Sequence, residues 1–200
     1  MLSCNSGFDM NSLSNVYDAC SDDVHDDVCK IFDHGMQLTS QYSTYRWNGR
    51  QTVKTQNLAE HHGNVCQYLV ILFEFIDVPP EDQLKALKRA AVHDLPETIL
   101  SDITYPVHVR YPKLSEAYDE AEYDVMHKDL GFIEDALDIE HGSNVWLLEK
   151  TADRLDRLIY AAYEHQLGNT SPWIEDTIKD ESLVFHDSLK ELYNIYGRKH

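Results

Sequence analysis

Basic side chains are scarce in this sequence: 17 Lys and Arg stand against 35 Asp and Glu over 200 residues, a formal net charge of -18. Such a surface repels a phosphate backbone, which excludes extended binding to a nucleic-acid polymer. A mononucleotide is not excluded, because one divalent cation with one or two arginines or lysines outweighs the global field locally. Cysteine is equally thin. Cys4, Cys20, Cys29 and Cys66 form no C-x-x-C pair, so neither a zinc ribbon nor a disulfide framework is expected, and reduced thiols of a cytosolic protein are. Long apolar runs are missing too: no stretch approaches the roughly 18 residues of a membrane span, and the N-terminus lacks the basic patch and apolar run that mark export. The expectation is a cytoplasmic protein with no membrane partner. Period-two alternation does not extend beyond a few residues, and no internal repeat is present, which leaves an all-α class.

A length of 200 residues suits one domain with one substantial core. Residues 1–35 carry seven aspartates and one lysine; they read as an acidic extension, partly helical toward Met36, ahead of a single helical bundle over 36–200. From Asn57 onward, Leu58, Val65, Leu69, Leu72, Phe73 and Ile76 fall on one helical face. Pro79-Pro80-Glu81-Asp82 starts another helix, with Leu84, Leu87 and Ala91 facing inward and His93-Asp94 at or near its end. Residues 98–113, with Pro106 and Pro112, read as an irregular loop, and a further helix begins near Leu114. Leu148, Ala152, Leu155, Ile159 and Ala162 make a core stripe with Asp153 beside it, and Phe185, Leu189, Leu192 and Tyr196 make a last one.

Histidine is the residue in surplus, with 11 copies. The dipeptide His-Asp occurs at His25-Asp26, His93-Asp94 and His186-Asp187, so by itself it carries little. The first and third copies read as solvated helix faces. The middle copy ends an apolar helix, is followed by Glu97 and Asp102, and has His61 and Asp153 on two other apolar helices. Imidazole and carboxylate ligands from three packed helices suit a divalent transition metal, Mn, Co, Zn, Ni or Fe, in the core of a bundle. Lys54 and Lys150 read as ordinary solvated residues near these motifs and His62 as a surface or satisfied histidine, with Asp153 also in reach of Arg154 and Arg157.

The set Arg46-Trp47, Asn57-Leu58-Ala59-Glu60-His61, His93-Asp94-Leu95-Pro96-Glu97, Asp102, Pro106-Val107 and Thr151-Ala152-Asp153 resembles the bacterial 5′-deoxynucleotidases of the HD superfamily, over roughly residues 40–165. It is similar also to phage relatives that remove triphosphate from deoxynucleoside triphosphates. The resemblance implies an HD-type helical bundle with a metal in its core. It implies His61, His93, Asp94 and Asp153 as metal ligands, Glu97 and Asp102 as the acid and base, Arg46 as a phosphate contact, and Trp47 as a wall against C2′ of the sugar. Lys54 and His108 are further candidates for substrate contact; His108 stands where these enzymes often carry lysine after the Pro-Val pair, and Gly49 where a bulkier apolar residue is common.

The expected reaction is metal-dependent hydrolysis of the 5′-phosphate ester of a deoxynucleotide. Monophosphate and triphosphate substrates both fit, the latter needing further cations such as Arg50, Lys54, Arg110 and Lys113. Alarmone hydrolysis is disfavoured because Glu97 is followed by Thr98 and not by a second acid. A two-metal cyclic-nucleotide site is disfavoured because His108, His127 and His141 form no His-His pattern. A degenerate nucleotide-binding regulator is the remaining alternative, although every expected ligand is present. A homo-oligomer is expected from the resemblance and from 12 tyrosines that suit an interface.

Overall fold

The computed structural model describes residues 25–101, 103–137 and 139–199, without the side chains of residues 25, 26, 105, 106, 108 and 134. Contacts divide the chain into two compact units, Met1–Ser40 and Gln41–His200. In the first, α1 (His25–Leu38) carries the helix expected toward Met36, and its end is closed by Thr39 and Ser40 hydroxyls donating to the carbonyls of Met36 and Gln37.

The second unit is a helical bundle, and among the described residues it contains no strand, only isolated bridges. Its elements are α2 (Leu58–Phe75), α3 (Pro80–Ala90), α4 (Glu97–Leu100), α5 (Tyr105–Arg110), α6 (Pro112–Lys128), α7 (Glu134–Leu137), α8 (Asn144–Gln166) and α9 (Pro172–Tyr196). Helix α8 is central, with α2, α3 and α9 packed against it. Local chemistry sets the helix starts. Asn57 and Glu60 form a reciprocal capping box at α2, and Ser143 accepts from the Trp146 amide at α8. Pro80 with Glu81 and Asp82 opens α3, whose last turn carries Lys88 and Arg89, both ends complementing the helix dipole.

The expected α2 face is buried throughout, and Leu192 of α9 is fully buried with Phe185, Leu189 and Tyr196 packed beside it. Three other expectations are corrected. Residues 98–113 are not one irregular loop, because they hold α4 and α5; Pro106 lies in the first turn of α5 and Pro112 starts α6, positions where a missing N–H costs no helical bond. On α3 the inward residues are Ala86 and Ala90 with Leu87 half-buried, while Leu84 and Ala91 are exposed. On α8 Leu148 and Ala152 are buried but Ile159 is exposed; the deeply buried face runs through Glu149, Asp153, Asp156, Tyr160 and Glu164. Those positions recur every three or four residues, so this is a helical stripe made of polar groups.

The last residue of that stripe anchors the segment before α2. The Glu164 carboxylate accepts the Val53 and Lys54 amides at 2.7 Å each and the Asn169 side-chain amide at 2.8 Å. These bonds hold its pKa below the usual carboxylate value of 4.5 against the opposing effect of burial. Glu164→Gln leaves a buried donor facing an amide N–H, and is expected to lower stability by about 1–3 kcal/mol at neutral pH. A depressed folded-state pKa contributes stability that is present above the unfolded value and lost as pH falls through the folded one. The gap between wild type and variant in urea unfolding should therefore be full at pH 7 and shrink below about 4.5; a gap independent of pH would rule out the ionised carboxylate as its source.

Candidate metal centre

His61 lies at the start of α2, one residue past the capping box, so the cap that fixes the helix start also fixes which way this ring faces. His93 and Asp94 occupy the tight turns between α3 and α4, closed by Val92 N–H to Arg89 O and Glu97 N–H to Asp94 O. Asp153 comes from the middle of the polar stripe of α8. The three elements converge. His61 Nε2 and His93 Nε2 stand 3.2 Å apart, Asp94 Oδ2 is 3.4 Å from each, and Asp153 Oδ1 is 3.5 Å from His61 Nε2.

The remaining ring nitrogens are already engaged. His61 Nδ1 is 2.7 Å from Asp156 Oδ2, and His93 Nδ1 is 3.1 Å from the Ala90 carbonyl. Both partners are acceptors only, so each ring holds its proton at Nδ1 and turns its Nε2 toward the other ring. Two facing lone pairs repel unless a proton or a cation lies between them. Burial drives His93 toward the neutral form; His61 is opposed by burial and by Arg46 as well, yet Asp156, Asp94 and Asp153 lift its pKa above the ordinary imidazole value. Asp153 Oδ1, in addition, is buried without a hydrogen-bond partner.

That donor set fits a divalent transition metal. Two ligands each about 2.1 Å from one ion stand roughly 3.0–3.4 Å apart at tetrahedral or octahedral angles, and the two imidazole nitrogens are 3.2 Å apart. His61, His93 and Asp94 offer ligand atoms that all lie within 4.8 Å of one another. Asp153 brings an oxygen with no competing bond, and the acceptors behind both rings fix the tautomer a metal requires.

Positive charge surrounds the carboxylates. Burial alone would favour the neutral form of Asp153, but Arg157, Lys150, His61 and Arg46 hold its pKa well below the carboxylate range. Asp94 is held down likewise by His93 and Arg46. The Arg46 guanidinium bonds Asp94 and lies 4.0 Å from Glu97 Oε1 and 3.9 Å from Asp153 Oδ1. Lys150 is not a solvated lysine; its ammonium is 3.5 Å from Glu149 Oε1 and 3.9 Å from Asp153 Oδ2.

Of the other sequence candidates, Glu97 opens α4 with its side chain mostly buried beside Arg46. Trp47 follows Arg46 at a positive φ of 63° and lies flat on Tyr160, ring centroids 4.9 Å apart, with Trp173 next to it. Gly49 two residues on has φ 77°, so the turn itself favours glycine there whatever the neighbouring space. Lys54 is half exposed and pairs with Glu60 at 3.5 Å. Asp102 and the His108 side chain lie outside the described residues, as do the side chains of His25 and Asp26; His186 and Asp187 are exposed, as a solvated face should be.

A model of the YfbR-like 5′-deoxynucleotidases matches residues 37–181. The chain belongs to the YfbR-like 5′-deoxynucleotidase family. As a YfbR-like protein it is a phosphohydrolase of the 5′-deoxynucleotidase type. Solved structures share the YfbR-like chain's fold. An HD-domain phosphohydrolase from Listeria innocua superposes with a TM-score of 0.65 at 17% identity, over 82% of this chain and 85% of the other. The PH0347 protein from Pyrococcus horikoshii gives 0.61 at 24% identity, over 80% and 97%. The HD phosphohydrolase DatZ of cyanophage S-2L, bound to dA and one catalytic Zn²⁺ ion, gives 0.49 at 19% identity, over 78% and 95%. Among curated protein sequences there is no match.

The YfbR-like site contains groups that sequence reasoning missed. Asp156 backs His61, His62 accepts the Asp94 amide at 3.3 Å through Nε2, and fully buried Glu149 bonds Arg89 at 3.0 Å while lying 3.6 Å from His93 Nε2. One signal was available: Glu149, Asp156 and Glu164 share the helical phase of Asp153, so four acids fall on one face of α8. A row of acids ordinarily denotes a solvated face, and here it is buried.

Proposed function

We propose that this enzyme hydrolyses the 5′-phosphate ester of 2′-deoxynucleoside monophosphates, releasing deoxynucleoside and orthophosphate. The observation that carries the reading is the convergence of His61, His93 and Asp94, with Asp153 Oδ1 3.5 Å from His61 Nε2, beside Arg46 and Glu97 and with Trp47 as the next residue in the chain. In this reading those four residues hold the metal. When bound, the ion supplies Lewis acidity toward a phosphoryl oxygen and toward water. Arg46 presents its planar guanidinium to the phosphate, a geometry suited to two parallel hydrogen bonds. Glu97 and Asp102 divide the proton traffic: one takes a proton from the attacking water as its oxygen bonds phosphorus, and the other gives a proton to O5′ as the P–O5′ bond breaks.

Trp47 supports discrimination at the sugar. The only polar atom of its indole donates to Gln56 Oε1 at 3.1 Å, so a ribose 2′-hydroxyl against this ring would lose its hydration and find no partner. A monophosphate is favoured because two of the cations available for β and γ groups are engaged elsewhere, Lys54 with Glu60 and Arg50 over the ring of Trp173. His108 serves the periphery of the substrate in this scheme. The hydrolase domain occupies about residues 36–200 behind an acidic extension, and the enzyme works as a cytoplasmic homo-oligomer; no helix of the described residues is long and apolar enough to cross a membrane.

The test is incubation with Mn²⁺, Co²⁺ or Zn²⁺ and the four deoxynucleoside mono- and triphosphates beside their ribose counterparts, with products separated by chromatography. Orthophosphate and deoxynucleoside from monophosphates, with ribonucleotides spared, is the expected result. Tripolyphosphate from triphosphates would replace the monophosphate assignment, and survival of every substrate by metal-loaded protein would overturn the reading.

A further inference from the structure

Behind the metal ligands lies a buried chain of hydrogen bonds. The Asp156 carboxylate is almost wholly enclosed and accepts three donors: His61 Nδ1 at 2.7 Å and the Gln56 side-chain amide at 2.8 Å on Oδ2, and the Asn64 side-chain amide at 2.9 Å on Oδ1. Gln56 is buried in turn, and its amide orientation has one solution. The Trp47 indole can only donate and the Asp156 carboxylate can only accept, so Gln56 Oε1 faces the former and Nε2 the latter. The backbone carbonyl of Gln56 also accepts the Arg46 amide at 3.0 Å. One glutamine thus holds the Arg46-Trp47 pair by main chain and side chain together, while its Nε2 donates to the same Asp156 oxygen that accepts from His61.

The geometry points to Asp156 and Gln56 as positioning residues: Asp156 locks the His61 ring with Nε2 turned to the metal, and Gln56 ties the Trp47 wall to that same carboxylate. An acceptor behind a ligating imidazole fixes both tautomer and orientation, and losing one weakens metal binding by roughly 10–100-fold. Gln56 adds a consequence for specificity. The wall against the sugar and the ligand on the metal share one buried anchor, so the register between C2′ and the reacting phosphate is set by side chains that touch neither. The specificity half of this inference rests on the functional reading above; the metal half does not.

The experiment measures Zn²⁺ affinity by competition with a chromophoric chelator, without nucleotide, and then deoxy-over-ribo selectivity as a ratio of kcat/KM. Asp156→Asn cannot accept from all three donors, and its zinc Kd is expected to rise roughly 10–100-fold, with turnover recovering at saturating zinc. Gln56→Leu is expected to keep the wild-type zinc Kd and lose roughly 10-fold in selectivity. Wild-type zinc affinity in Asp156→Asn, or undiminished selectivity in Gln56→Leu, overturns the assignment. The zinc-loaded wild type supplies a check that misfolding of a variant cannot obscure: long-range ¹H–¹⁵N correlation should place the His61 proton on Nδ1, and a zinc-bound Nδ1 overturns the role of Asp156. A wild type that binds zinc but spares deoxynucleoside monophosphates sinks the functional reading and leaves the zinc measurements to decide the role of Asp156.

Discussion

Asp153→Ala is expected to release the metal and abolish turnover together. Truncation removes Asp153 Oδ1, the buried oxygen without a hydrogen bond that the proposed function assigns to the metal, and it removes the anion that Lys150, Arg157 and Arg46 surround at 3.9 Å. Two imidazoles and Asp94 would remain, beside three cations with less negative charge to balance them. A divalent ion entering that field meets repulsion as well as a missing bond. Changes behind a ligand cost roughly 10–100-fold in metal affinity, so loss of the ligand itself should exceed about 100-fold. Elemental analysis of the purified variant beside wild type, paired with phosphate release, decides it. Full metal content with full activity would remove Asp153 from the site.

Glu97→Ala is expected to separate the two properties that Asp153→Ala removes jointly: metal content stays and kcat falls by about 10²–10⁴-fold, the usual worth of one positioned proton-transfer group. The side chain stands at the head of α4, beside Arg46 and outside the group formed by His61, His93 and Asp94. Its removal leaves those ligand atoms and the acceptors behind both imidazoles in place. KM should change little, because Glu97 acts on protons in flight more than on the resting phosphate. Steady-state kinetics with metal analysis on the same preparation reads both quantities. A variant that turns over within a few-fold of wild type, or one that loses its metal, would take the proton-transfer role away from Glu97.

The two variants differ because of where their residues sit, and only part of that placement was legible beforehand. The apolar face of α2 was readable as it stands, since all six of its core positions are buried. Helix α8 was not. Its apolar stripe pointed to Leu148, Ala152, Leu155, Ile159 and Ala162, yet the helix is central, packed on α2, α3 and α9, and a second face had to be buried as well. That face consists of acids and a tyrosine, and each needs partners to be buried at tolerable cost. Glu164 finds the amides of residues 53 and 54, Asp156 finds His61, Gln56 and Asn64, and Glu149 finds Arg89.

By itself the sequence determined the helical class, the stripes of α2 and α9, the helix starts at Asn57 and at Pro79-Pro80, and the singling out of one His-Asp pair among three. These are local or periodic properties, legible within a window of a few turns. Tertiary structure decided which polar residues are buried and for what. His61 and Asp156 are 95 residues apart, and His61 and His93 are 32 apart. No local pattern states whether a distant carboxylate will arrive behind an imidazole, because the burial of a charged group depends on partners that only the packed helices bring together.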